Sequence, residues 1–171
     1  MSPNARLKNR KRLTGLPSVS RPGRLGRRLK RWLHERIPRA ARHAHDAHER
    51  SGVLIVDDDR DFREELALLL GSEGIEVAEA ANGREALHLL PHHAPRLIVL
   101  DLDMPVMTGL EFLETKRVLW RRDLRAIPVL VMTCVDAWAQ RAAELGAVAV
   151  LRKPFRFDAL LTQVDVELTR A

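Results

Sequence analysis

The sequence predicts an α/β fold, a doubly wound parallel sheet of five strands with helices on both faces. Three observations predict it. Five short apolar runs punctuate the chain from Val53 onward. Most are continuous rather than alternating, as strands buried on both faces must be. Each run is followed by apolar residues at three- and four-residue spacing, the period of a helix packed on one side. Finally, acidic, hydroxyl and basic residues stand just past several runs, at the strand ends beyond which open α/β sheets bind ligands.

Taken in order, Val53–Val56 reads as the first buried strand. Phe62, Leu66, Leu69 and Leu70 then mark a helix closed by Gly71. Ile75–Glu79 is a short second strand. Asn82 to Leu90 is a helix with Asn82 or its neighbour as cap, stopped by Pro91 because proline lacks the N–H a helix interior needs. Leu97–Leu100 is the third strand. Leu110, Leu113, Val118 and Leu119 mark a helix after Gly109. Val129–Met132 is the fourth strand, and Trp138 to Leu145 a helix ended by Gly146. Val148–Leu151 is the fifth strand, and Leu160, Leu161, Val164 and Leu168 form the face of a last helix.

The chain divides by charge as well as by pattern. Residues 1–50 hold 15 Lys and Arg against 3 Asp and Glu, a net of +12, while residues 51–171 hold 14 against 20, a net of −6. An acidic domain over 51–171 is therefore expected behind a basic extension over 1–50, with Ser51-Gly52 at the boundary. Within the extension the first 23 residues mix basic residues with Pro and Gly and are expected to be disordered. Leu25, Leu29, Leu33 and Ile37, with Trp32 beside them, predict a short basic amphipathic helix ended at Pro38. Residues 24–50 thus suit contact with a polyanion, an anionic membrane surface or a partner helix. His43, His45 and His48 read as part of a solvated polar segment rather than a metal site. No apolar stretch approaches the ~20 residues needed to span a bilayer. The basic start lacks the apolar region of a secretory signal. The single cysteine, Cys134, excludes an internal disulfide. A cytoplasmic location is expected.

The chemistry is concentrated at the strand ends. Asp57 and Asp58 follow the first strand, Asp101 the third, Thr133 the fourth and Lys153 the fifth. Three neighbouring carboxylates repel one another unless protonated or neutralised by a cation. A hard divalent ion such as Mg²⁺ suits oxygen ligands and keeps open positions that can hold a phosphoryl oxygen. Thr133 can donate a hydrogen bond to a second oxygen and Lys153 supplies charge to a third. Asp101 is then a nucleophile able to form an acyl phosphate. Asp59 reads as a helix cap.

With these residues in place, the phrases VLIVDDDRDFR, EAANGREALHLL, LIVLDLDMPVMTGLEFL, IPVLVMTCVD and GAVAVLRKPF resemble the receiver domain of bacterial two-component response regulators. They occur in that family's order and spacing over about Val53 to Leu168. The resemblance implies a flavodoxin-like sheet of order 2-1-3-4-5. It implies Asp101 as phosphoacceptor and Thr133 and Lys153 as the switch hydroxyl and phosphate-binding lysine. It further implies Mg²⁺ held by Asp57, Asp58, Asp101 and the backbone carbonyl of Asp103, with Asp58 contacting it more directly than Asp57. The Lys153–Pro154 bond is expected to be cis, and Gly109 to permit a tight turn after the site loop. The expected partners are a sensor histidine kinase or phosphotransfer protein and an output protein. The expected role is signalling rather than enzymatic turnover, apart from autophosphatase activity.

Two departures stand out. The family usually carries an aromatic residue three positions before the lysine, where this chain has Val150, and the chain contains no tyrosine. The sequence also stops just after the last expected helix, so a stand-alone receiver without a downstream effector is expected. Two other readings follow: a phosphorylation-independent interaction module on the same fold, or an adaptor acting through the basic extension on nucleic acid or anionic membrane. Asp101-x-Asp103 also resembles the nucleophile motif of haloacid-dehalogenase-like phosphatases, but that motif belongs on a first strand.

Overall fold

The structure, a computed structural model, describes residues 52–170. The expectations for the extension, including the amphipathic segment and His43, His45 and His48, lie outside the described residues. Five strands form one parallel sheet: β1 (Val53–Val56), β2 (Val77–Ala80), β3 (Leu97–Asp101), β4 (Val129–Thr133) and β5 (Ala149–Arg152), in the order β2-β1-β3-β4-β5. The helices are α1 (Arg60–Ser72), α2 (Gly83–His93), α3 (Gly109–Arg117), the short α4 (Arg122–Arg125), α5 (Asp136–Glu144) and α6 (Phe157–Arg170).

The apolar runs explain the layers. Because side chains alternate along a strand, a run of valines and leucines feeds both faces. Val53, Ile55, Leu97, Val99, Leu130 and Met132 meet Phe62, Leu66, Leu69 and Leu70 of α1 and Phe157, Leu160, Leu161 and Val164 of α6. Leu54, Val56, Ile98, Leu100, Val129 and Val131 meet Ala86 and Leu90 of α2, Phe112 and Leu113 of α3, and Ala142 and Leu145 of α5. Every residue of β1, β3 and β4 is buried.

Three helices start on side-chain caps. Asp59 accepts from the Phe62 N–H at 3.1 Å and Asn82 from the Glu85 N–H at 3.0 Å. Thr108 and Glu111 form a reciprocal capping box at the start of α3. Each cap ties off a backbone N–H that the first turn leaves without a partner.

The boundaries correct several expectations. Gly71 lies inside α1, and the chain turns instead at Gly74, whose φ of +79° suits glycine. Pro91 does not stop α2. It sits in the last turn, where it removes a single hydrogen bond, and the helix ends at Ala94 in the left-handed conformation. Val118 lies beyond α3 and is exposed rather than on its packed face. The short helix α4 makes six helices among the described residues where five were expected.

Candidate functional site

All strands run the same way, so their carboxyl ends share one edge of the sheet, and the loops there carry the site. Asp57 follows β1 directly and is 1% exposed. Its Oδ1 accepts the Asp59 N–H at 3.0 Å, the same turn that aims Asp59 at the start of α1. Asp58, between them, is exposed. Asp101 is the last residue of β3 and 5% exposed, with its Oδ1 accepting the Leu102 N–H at 2.9 Å. One carboxylate oxygen from each of Asp57, Asp58 and Asp101 lies within 4.8 Å of the others.

Lys153 bridges two of the three. Its Nζ is 3.2 Å from Asp57 Oδ2 and 3.2 Å from Asp101 Oδ1. The ammonium also stands 5.4 Å from the centroid of the Phe62 ring, whose face attracts a cation. Phe62 is fixed in turn by stacking on Phe157 and by edge contact with Phe155. The loop after β5 brings the lysine back over the sheet edge. Lys153 N–H donates to the Thr133 carbonyl at 2.8 Å, and the Lys153–Pro154 bond is cis, as expected.

Thr133 is buried at the end of β4, one residue past Met132, the register partner of Asp101. Its Oγ1 accepts the Val135 N–H at 3.1 Å, and a hydroxyl that accepts still has its hydrogen to donate. Among the described residues no hydrogen bond joins it to the carboxylates. Asp103 is exposed in the loop beyond β3, and its carboxylate is not part of the cluster.

The electrostatics follow from burial. Desolvation raises the Asp57 carboxyl to about 6, against the pull of Lys153 and with the help of Asp101. Burial also raises Asp101, again opposed by Lys153. Burial works against the Lys153 ammonium, but Asp57 and Asp101 outweigh it and its pKa is raised. Three carboxylates facing one ammonium leave an excess of negative charge in a partly dry place. An oxygen-only donor set with that excess fits a hard divalent cation such as Mg²⁺.

Two features were missed or misread in the sequence. Arg63 on α1 donates from Nη1 to the Asp57 carbonyl at 2.7 Å, and its Nε lies 3.4 Å from Glu79 Oε2. Nothing in its spacing distinguishes it from a surface arginine. Gly109 is needed for close approach rather than for a special turn: a Cβ there would stand 2.3 Å from the Asp101 carbonyl oxygen. The absent side chain lets α3 start against the end of β3.

Known proteins resemble this chain in sequence and in fold. A model of the response regulator receiver domain matches residues 53–165. The chain belongs to the response regulator receiver family. The response regulator MprA of Mycolicibacterium vanbaalenii is 40% identical over 124 residues, spanning 69% of this chain and 50% of that protein. MprA of Mycobacterium avium is 38% identical over 124 residues, with 69% and 51% covered. The chain therefore spans about half the length of these curated relatives. Among solved structures, the chemotaxis response regulator CheY4 of Vibrio cholerae superposes with a TM-score of 0.63 at 33% identity, covering 70% of this chain and 99% of that one. A receiver protein from Pseudomonas putida gives 0.63 at 33% identity, covering 70% and 98%. This receiver domain has the flavodoxin-like order that the resemblance implied, and it is a signalling domain of the two-component type.

Proposed function

We propose that this receiver accepts a phosphoryl group on Asp101 from a partner histidine kinase or phosphotransfer protein and signals by changing its affinity for an output protein. The observation that carries the proposal is the convergence of Asp57, Asp58 and Asp101 oxygens within 4.8 Å, with Lys153 3.2 Å from two of them. Mg²⁺, held by Asp57, Asp58, Asp101 and the Asp103 carbonyl, would neutralise charge on the transferring group.

The chain's own residues supply the rest. An Asp101 carboxylate oxygen attacks phosphorus, forming the O–P bond of an acyl phosphate as the P–N bond of the donor phosphohistidine breaks. The bonding pair leaves on the imidazole nitrogen. Lys153, already paired with Asp101, is placed to follow the new negative charge onto the phosphoryl oxygens. Thr133 has its hydroxyl hydrogen for another oxygen. A rotation of Thr133 toward the phosphoryl group would stretch its bond from the Val135 N–H, which links the event to the start of α5.

Beryllofluoride, which imitates the phosphoryl group, tests this directly. With Mg²⁺ it should shift the amide spectrum of the wild type around Thr133 and α5 and leave Asp101→Asn unchanged. An equal response from both proteins would remove Asp101 as the acceptor.

One observation favours a second reading. Val150 pairs with Val131 and packs against the core on the α5 side of the sheet, where the family's usual aromatic residue is absent. If phosphorylation is not read out, the domain binds its partner constitutively. Output-partner affinity that is identical with and without beryllofluoride would establish that reading.

A further inference from the structure

The edge of the sheet opposite Asp101 carries a second concentration of charge. Helix α3 runs back from the site, so residues 117–128 lie at the amino end of the strands, beside Gly52 where residues 1–51 enter the domain. The stretch 116–125 holds five basic residues and one acidic, in a domain that is otherwise acidic. Arg121 is paired with Asp123 at 2.6 Å. Arg117, Arg122 and Arg125 are exposed and make no ion pair among the described residues.

Between these arginines the chain presents apolar surface. Trp120 is 88% exposed and Val118 79%, the two most exposed large apolar side chains among the described residues. The segment that carries them is built rather than loose. Lys116 is buried and donates from Nζ to the Arg125 carbonyl at 2.8 Å, Leu124 is buried, and Leu119 packs on the core. Holding Leu119 and Leu124 inward turns Val118 and Trp120 out.

Charge selects the occupant. The extension carries charge of the same sign, +12, so charge argues against it as the cover. Two copies of the patch repel each other as well. A polyanion is attracted. The apolar pair then favours one polyanion: tryptophan suits either a stacked base or a bilayer interface, and an exposed valine beside it adds apolar area that a bilayer interior buries more fully than a base stack does. We propose that residues 117–125, with Val118 and Trp120 projecting, form a docking surface for an anionic lipid bilayer. Docked through this edge, the receiver keeps Asp57, Asp101 and Lys153 facing away from the membrane and open to a kinase. The basic extension enters at the same end and adds charge of the same sign.

The test uses the full chain in a Trp32→Phe background, which removes the tryptophan of the extension. Vesicles of equal parts brominated phosphatidylglycerol and phosphatidylcholine should quench the fluorescence, and adding Trp120→Phe should abolish the quenching. Arg122→Ala and Arg117→Ala should each weaken vesicle partition about fivefold, the equivalent of one basic residue near an anionic surface. Phosphatidylcholine vesicles alone should give neither effect. Trp120, Arg117 and Arg122 are exposed, and unchanged thermal unfolding of the variants verifies their fold. Quenching that survives Trp120→Phe, or partition indifferent to both arginines, overturns the proposal. So does tighter retention on double-stranded DNA than on vesicles with the same dependence on Trp120, which assigns the patch to nucleic acid. A Trp120-dependent dimer in light scattering assigns it to a second copy.

Discussion

Asp57 bears the largest electrostatic strain in the carboxylate cluster, and its titration is measurable. In the fold its pKa is about 6, raised by burial from the ordinary 3.8. The folded state therefore holds a proton that the unfolded chain has already released between those values. Stability from this group is full below about pH 4 and is lost as pH rises through 6. A shift of about two units corresponds to roughly 3 kcal/mol. Without divalent ions, raising the pH from 4 to 7 should destabilise the wild type relative to Asp57→Asn, measured by urea unfolding. Mg²⁺ at neutral pH should restore the wild type and do much less for Asp57→Asn. Equal pH profiles would show that Asp57 titrates normally. Arg63 stands behind the same residue. Its removal in Arg63→Ala leaves the Asp57 carbonyl without its 2.7 Å donor, at a cost of about 1–3 kcal/mol. Calorimetric titration should find weaker Mg²⁺ binding in that variant, and unchanged affinity would confine Arg63 to stability.

At the scale of elements, the start of α3 ties helix position to site geometry. Adding one methyl at Gly109 forces it 2.3 Å from the Asp101 carbonyl oxygen and 2.7 Å from a Leu102 side-chain carbon. Neither the strand end nor the helix can absorb that without moving. Gly109→Ala should cost about 1–3 kcal/mol in urea unfolding, as overpacking does. It should also weaken the beryllofluoride response, because the displaced backbone is that of Asp101 itself. A variant of wild-type stability would mean that α3 slides freely. The same element shows why parts of the fold were legible in sequence and parts were not. β1, β3 and β4 were plain because four or five consecutive buried residues leave an unbroken apolar run. Asp57, Asp58, Asp101, Thr133 and Lys153 were plain because parallel strands deliver their next residues to one edge. The helix ends were not. Gly71 and Pro91 look like terminators, yet Gly71 meets nothing that requires glycine and Pro91 falls in a last turn where little is lost. The helix α4 escaped notice because its four residues, Arg-Asp-Leu-Arg, bury only Leu124 and set up no period. Arg63 and Lys116 were invisible for a related reason: each serves a backbone carbonyl, and carbonyls leave no mark in sequence.

Across the whole molecule, the two edges of the sheet have opposite character. Carboxylates gather where the strands end, and arginines gather where they begin, next to the entry of the +12 extension. The strand β1 of four residues separates Gly52 from Asp57 by five steps, about 17 Å at ~3.3 Å per residue. That exceeds the ~8 Å over which charges act through physiological salt. Among the described residues both buried core clusters run from Val53 to Val164, and each sheet face finds helices to cover it there. Deleting residues 1–51 should therefore leave a cooperatively unfolding domain, with its melting temperature and its Mg²⁺ affinity at physiological salt close to those of the full chain. The deletion should matter only at low salt, where an extension folded back over the carboxylates would compete with Mg²⁺ and its loss would tighten binding. If deletion tightens Mg²⁺ binding at physiological salt too, the extension rests on the acidic edge and masks Asp101. If it abolishes cooperative unfolding, the domain boundary at residue 51 is wrong. The expected result makes the extension and Asp101 independent at working salt, joined only through whatever holds the amino edge of the sheet.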